Sequence, residues 1–235
     1  MTRLPLPSPR PVLHPLRDTG TATSTIDHLP GGRRRVTIDH QPLSGVTPPM
    51  LLWWFRHIGG TMRYGDSEVA NYLVWHPLDH IHWELARPAS GGGAGEGARF
   101  RIVEAFARRP EFYIDTTDTV EKLDATGIRL VTRIAGVVVL QLEHTWAACA
   151  AGTHYVTVLD IGARSRLFQP VNRYLTERSF PDPLLHAWLQ HNIEEVGLLE
   201  HFLPPLYTDR AQQAESADAA SDLLAASSPK PPRSS

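Results

Sequence analysis

Cysteine is nearly absent from this chain of 235 residues: Cys149 stands alone. That excludes an internal disulfide and a thiolate zinc knuckle, and it fits a reducing cytosol, so a cytoplasmic location is expected. Long apolar runs are missing as well. No apolar run approaches the roughly 18 residues of a membrane span, and the proline-rich N-terminus lacks the apolar core of a signal peptide. Nor is there an excess of one charge, since 23 Lys and Arg stand against 25 Asp and Glu for a net −2. Neither nucleic acid nor a membrane surface is therefore an expected partner. The glycine-rich stretch from Ser90 to Gly97 is irregular and has no Lys-Ser/Thr after it. It reads as a flexible connection, not a phosphate-binding loop.

What the chain does have is histidine, concentrated in Trp75 to Glu84, WHPLDHIHWE. Pro77 fixes φ and removes a backbone donor, which predicts a kink instead of a central strand. Beyond the kink, His80 and His82 would share one face of an extended segment, because side chains alternate with period two. His76 and His80 would alternatively face each other across the bend. Neutral imidazole is the commonest protein metal ligand, and a nearby carboxylate such as Asp79 can fix its tautomer. Any single histidine here is more simply a packed or surface residue. The cluster becomes a metal site only with partners from elsewhere in the chain.

Such a partner stands near the far end. Leu184 to Phe202 follows the helix-start signal Asp182-Pro183 and is expected to stop before Pro204-Pro205. Leu185, Trp188, Leu189, Val196 and Leu199 recur at helical spacing, giving one packed face. On that helix His191 and Glu195 are one turn apart and point the same way, as paired ligands on a helix do in zinc sites. A solvated ion pair is the plain alternative, but Trp188 and Leu199 place the two on or beside the apolar face. Glu104, between Val103 and Ala105 in the alternating run FRIVEAF, needs a partner if its strand is buried. It is the third candidate ligand, with a salt bridge to an arginine as the alternative.

The remaining patterns outline one domain. Residues 1 to about 32 are rich in Pro, Ser, Thr and Arg without periodicity and are expected to form a flexible arm; the tail 208–235 is expected to be disordered for the same reason. Between them, 33–207 holds a first strand at Arg34 to His40 and an aromatic helix after Thr47-Pro48-Pro49. A strand from Val69 to Trp75 leads into the histidine cluster, and a run of strands follows from Glu111 to Ala163, punctuated by Gly127, Gly136 and Gly152. His144 and Tyr155 fall on inner faces of these runs, either packed or lining a cavity as acid–base groups. Many antiparallel strands followed by one long helix predict an α+β helix-grip fold, a curved antiparallel sheet wrapped around the C-terminal helix and enclosing a cavity.

The combination of LLWWF, YLVWHPLDHIHWE, GARFRIVEAF and HNIEEVGLLEHFLPPLY resembles the 2,4-diacetylphloroglucinol hydrolase family, which includes phloretin hydrolase. The resemblance covers roughly Arg33 to Tyr207. The WHPxDH stretch and the terminal HxxxE helix are its specific features; the rest is pattern. It implies a START-like helix-grip domain that hydrolyses the carbon–carbon bond between an acyl group and a phenolic ring, acting on a small aromatic ketone. It also implies one divalent ion per chain, generally zinc, held by two His and two Glu. Carried over, His191 and Glu195 match the helical pair and Glu104 the strand carboxylate. The spacing from Tyr72 favours His80 as the fourth ligand, with His76 as the alternative. Tyr72, His144 and Tyr155 match the catalytic residues, the last two more weakly. The family's N-terminal helical dimerisation element would be reduced or missing in so short an arm, so a homodimer stays an open expectation.

The implied chemistry is retro-Claisen in type: a proton enters the ring at the acyl-bearing carbon, water attacks the polarised carbonyl, and the ring leaves as a stabilised enolate. Two other readings of the chain stand beside it. One is a carrier holding an apolar ligand in the cavity; the other is a cyclase-like, non-hydrolytic polyketide-tailoring enzyme.

Overall fold

A computed structural model describes residues 3–227, with side chains described as far as Arg210 and at Gln212. In chain order the elements are β1 (Ala22–Leu29), β2 (Arg33–His40), α1 (Pro48–His57), β3 (Thr61–Tyr64), β4 (Ser67–Ala70) and α2 (Asn71–Trp75). Then come β5 (His80–Arg87), β6 (Arg99–Ala105), β7 (Tyr113–Asp124), β8 (Gly127–Ile134), β9 (Val137–Cys149), β10 (Gly152–Ile161), α3 (Gln169–Tyr174) and α4 (Asp182–Ser227).

Eight strands make one antiparallel sheet in the order β1-β2-β10-β9-β8-β7-β6-β5. From β5 to β10 the chain meanders, each strand pairing with the one before it. The sheet then closes its far side by pairing β10 with β2, the start of the chain. The fold is a helix grip of the α+β class: a curved antiparallel sheet laid against a long C-terminal helix. The reason is in the helix sequence. Leu185, Ile193, Val196, Leu199 and Leu203 are buried at helical spacing and feed two apolar clusters, one under α1 and α2 and one under β2 and β10. Trp54 and Phe55 of α1 fill the first cluster beside Trp75 and Phe202, so the aromatic helix is core and not a lid.

Four sequence expectations change here. Residues 22–29, assigned to the flexible arm, form an edge strand paired along its length with β2. Its polar side chains are exposed, and backbone hydrogen bonding supplies what apolar burial does not. The rest of the arm is docked, not loose. Arg10 donates to the carbonyls of Pro77 and His80, Arg17 pairs with Glu200 at 2.7 Å, and Arg108 reaches back to the carbonyl of Pro7. Gly197 makes room for Arg17, whose side chain occupies the space any Cβ would need. The last helix runs through Pro204 and Pro205 to Ser227 instead of stopping before them, so the tail 208–227 is helical; 228–235 lie outside the described residues. Finally, the expected strand Val69 to Trp75 is the end of β4 followed by the short helix α2, which carries Tyr72.

Candidate metal centre

The bend after α2 is set by Asp79. Its carboxylate accepts from the backbone N–H groups of Ala107 at 3.0 Å and Arg108 at 3.1 Å. Those two residues are consecutive non-glycines at φ 52° and 55°, a strained pairing that turns both N–H groups toward one anion. Burial works against ionisation of Asp79, but the hydrogen bond and charge of His191, the charge of His76 and the Ala107 N–H hold its pKa down to about 2. Sequence inspection gave Asp79 only a general orienting role. Its function as a structural hub depends on contacts 28 residues and 112 residues away in the chain.

Around this hub His76 and His80 part company. His76 Nδ1 accepts from the Asp79 backbone N–H at 3.1 Å and its Nε2 lies 3.0 Å from Glu194 Oε2, so both ring nitrogens are used. His80 places Nδ1 2.6 Å from the carbonyl of Tyr72 and stacks flat on the Tyr72 ring, with centroids 3.9 Å apart. Its Nε2 is buried, with the carboxylates of Glu104 and Glu195 at ion-pair distance and no other partner among the described residues. A β-bulge between His80 and His82 throws the two onto different environments, against the expected shared face. His80 is fully buried, whereas His82 is exposed beside Glu84.

This nitrogen faces three other candidate ligand atoms. His80 Nε2 is 3.2 Å from Glu104 Oε1 and 3.4 Å from Glu195 Oε2; His191 Nε2 is 3.9 Å and 3.7 Å from the same two oxygens. Tetrahedral ligands about 2.05 Å from a zinc ion are separated by roughly 3.3 Å; His80, His191 and Glu195 lie close enough together to hold one ion, and Glu104 Oε1 stands beside the two histidines. Both imidazoles are oriented from behind, His80 by the Tyr72 carbonyl and His191 by Asp79 at 3.1 Å, leaving each Nε2 toward the centre. The carboxylates are held as well. The Tyr72 hydroxyl donates to Glu104 Oε1, and Asn192 Nδ2 donates to Glu195 Oε1 at 2.6 Å. Burial disfavours a charged His80, yet hydrogen bonding and the charges of Glu104 and Glu195 raise its pKa to about 9. The two carboxylates together favour positive charge at this point.

Beside the centre, between α4 and β6 to β10, lies a cavity of about 660 Å³. Glu104, His191 and Glu195 open onto it, and Ile102, Leu130, Leu142 and Trp188 give it an apolar wall. His144 and Tyr155 do not line it. His144 Nδ1 sits 3.0 Å from Thr157 Oγ1, which is also 3.0 Å from His40 Nε2, and the Tyr155 hydroxyl is buried without a hydrogen-bond partner among the described residues. Burial lowers the pKa of His144 to about 4 and raises that of Tyr155 well above its ordinary value, so both are neutral. Tyr72, the third expected catalytic group, spends its hydroxyl on Glu104. His40, Thr157 and Asn192 carried no signal in sequence. Each belongs to a strand or helix pattern that packing alone explains.

No family model matches the chain, and no curated protein does. Among solved structures, protein Ms6760 from Mycobacterium smegmatis is 11% identical, with a TM-score of 0.43 over 76% of this chain and 96% of that one. Ara h 8.0201 is 10% identical, with a TM-score of 0.42 over 72% of this chain and 98% of its own. Likeness at this level leaves the site to be read from its own geometry.

Proposed function

We propose that this chain is a zinc-dependent hydrolase cleaving the carbon–carbon bond between an acyl group and a phenolic ring of the phloroglucinol type. The observation that carries the metal part is the convergence of His80 Nε2, His191 Nε2, Glu104 Oε1 and Glu195 Oε2 on one buried point. Two buried carboxylates beside two imidazoles are costly unless positive charge sits among them. The family resemblance and the apolar cavity beside the centre support the choice of substrate.

His80, Glu104, His191 and Glu195 would hold the ion. When bound, zinc would supply Lewis acidity at a ligand carbonyl and make water a nucleophile near neutral pH. The protein's own part is positioning. Asp79 and the Tyr72 carbonyl lock the imidazole tautomers, Tyr72 and Asn192 hold the carboxylates, and the cavity wall keeps an aromatic ring against the open side of the centre. Protonation of the ring falls to a group that reaches the cavity. Since His144 and Tyr155 stand behind its wall, His144→Gln and Tyr155→Phe test their assignment directly.

Their position is also what favours the carrier reading, in which the cavity holds a ligand without turning it over. Metal analysis of the purified protein, combined with product analysis on an acylphloroglucinol, separates the readings. About one zinc per chain and release of the acyl group as a carboxylic acid is the expected result. Metal-free protein that binds but does not cleave would establish the carrier, and a ring-closed product the cyclase.

A further inference from the structure

The near-zero net charge of the chain hides a local imbalance. From Gly162 to Ser179 it carries Arg164, Arg166, Arg173 and Arg178 against the single acid Glu177. The turn between β1 and β2 brings Arg33 to the same place. Asn172 of α3 donates to the Gly31 carbonyl at 2.9 Å, and Arg33 and Arg164 line one surface pocket of about 390 Å³ with Ser165 and Gln141. The acids nearby are already spent: Glu177 pairs with Arg173, Asp160 with Arg35 and Asp182 with Arg34. Arg33, Arg164, Arg166 and Arg178 have no ion-pair partner among the described residues, and the last three are exposed.

Apolar side chains are interleaved with these charges. Three consecutive helical pieces, Arg166–Phe168, α3 and Leu175–Ser179, make one unbroken run. Its underside is fixed. Asn172, Leu175 and Thr176 are buried there, and Asn172 accepts from the Ala163 N–H at 2.7 Å while donating to the Ala163 carbonyl at 2.9 Å. The outer side carries Leu167 at 89% and Tyr174 at 63% exposure, the two most exposed large apolar residues among those described. Seven positions separate them, about two helical turns, which brings both to one side. A lone exposed leucine needs no explanation. Two bulky apolar side chains on an anchored helical run, among four arginines without acidic partners, are the pattern of a segment that lies in a lipid interface.

We propose that the face formed by Arg33, Arg164, Arg166, Leu167, Tyr174 and Arg178 docks the protein on an anionic lipid bilayer, lying on its surface without crossing it. An acidic peptide would answer the arginines but offer nothing to Leu167 and Tyr174. A bilayer answers both, with phosphates for the guanidinium groups and the acyl boundary for the leucine. The run ends at Arg178 to Pro181, which line the large cavity, so docking brings that end of the cavity to the bilayer. This stands apart from the hydrolase reading and needs no metal at the centre.

The test is vesicle flotation of the full chain. Two compositions are compared, phosphatidylcholine alone and phosphatidylcholine with an equal part of phosphatidylglycerol. Binding to the anionic vesicles is expected to be at least about tenfold tighter at low salt, since each arginine near such a surface contributes several-fold. It should weaken as added salt shortens the screening length. Arg164→Glu combined with Arg166→Glu should lose about tenfold or more. Arg56→Glu combined with Arg63→Glu makes the same change in net charge on α1 and the following β3, where Phe55 stacks on Trp146 at the other end of β9 from the pocket-lining Val137 to Val139. That pair should lose no more than about threefold. Leu167→Ser should weaken binding several-fold and leave its salt dependence as it was, because it removes apolar burial and no charge. Thermal unfolding of each variant checks that it is folded, and the wild-type preference for anionic vesicles holds or fails whatever the variants do. Equal binding to both compositions, binding to neither, or binding unchanged in the folded Arg164 and Arg166 double variant would overturn the proposal. Capture of poly-glutamate without vesicle binding would also overturn it, and would give the face to an acidic protein.

Discussion

Two buried groups of this protein bring three candidate ligands close enough to hold a metal ion: His76, Asp79 and His191 on one side, and His80, His191 and Glu195 on the other. They share His191 and are equally buried, so proximity does not separate them. Hydrogen bonding does. In the first group both ring nitrogens of His76 and both Asp79 oxygens are already in use, by Glu194, the Asp79 N–H, Ala107 N–H and Arg108 N–H. In the second, His80 Nε2 meets only the candidate ligands Glu104 and Glu195 among the described residues. The first group is finished as protein structure, and the second lacks one member.

The largest contrast comes from the two histidines on either side of Pro77. His80→Ala should abolish zinc retention and turnover, because three donors with an unmatched carboxylate form an incomplete site. His76→Ala should keep the zinc and lose about 10–100-fold in affinity or activity, the range for residues that support ligands from behind. Zinc retained by the His80 variant and lost by the His76 variant, measured on dialysed protein, would reverse the comparison. Asp79→Asn comes next. The amide leaves Ala107 or Arg108 facing a donor and weakens the hold on His191, so zinc affinity should fall by about 10–100-fold and unfolding free energy by about 1–3 kcal/mol. A variant losing stability with zinc affinity intact would detach Asp79 from the centre.

A smaller effect follows from protonation. Zinc takes a neutral imidazole, while the metal-free His80, raised to about 9, is protonated at neutral pH. Uptake must expel that proton, so affinity should rise with pH below about 9, by roughly tenfold per unit from this group alone. At least about one proton per zinc should enter a lightly buffered indicator solution; pH-independent uptake without release would remove His80 from the ligand set. The smallest effect is expected at His82. Bulged out to the surface beside Glu84, its change to alanine should alter stability by no more than about 0.5 kcal/mol and leave zinc binding untouched.

The sequence made legible what depends on local period. The apolar stripe of α4, the one-turn spacing of His191 and Glu195, and the alternation placing Glu104 inward all stand in the fold. What it hid depends on pairing. The bulge that separates His80 from His82 is a property of the β5–β6 ladder, not of HIH as three residues. The strand Ala22–Leu29 has one inward-facing isoleucine, Ile26, among polar neighbours, and becomes a strand because β2 presents it with an edge. Apart from the Arg17–Glu200 pair, the contacts of Arg10 and Arg17 of the arm end on backbone carbonyls, which carry no side-chain signal. Asp118 carries no signal of its own in TTDTVEKLD, and the register of β7 is what turns it inward. His144 and Tyr155 were correctly placed on inner faces, but an inner face is not always a cavity wall.

The link between Asp79 and His191 spans 112 residues of sequence, and Trp75 meets the Glu195 carbonyl across 120. The centre is therefore a clasp between an early segment and the last helix, and it cannot exist on the ribosome until that helix has emerged. Until then His80, Glu104 and Asp79 sit on a sheet with an uncovered apolar face, the kind of intermediate that chaperones protect. Docking α4 closes a long loop, a slow step whose entropy cost no local contact offsets. A metal ion joining both segments would act only after that step, slowing the helix's departure more than speeding its arrival. Zinc should accordingly lower the unfolding rate and leave the refolding rate almost unchanged, making the ion a lock on the finished fold instead of a seed for it.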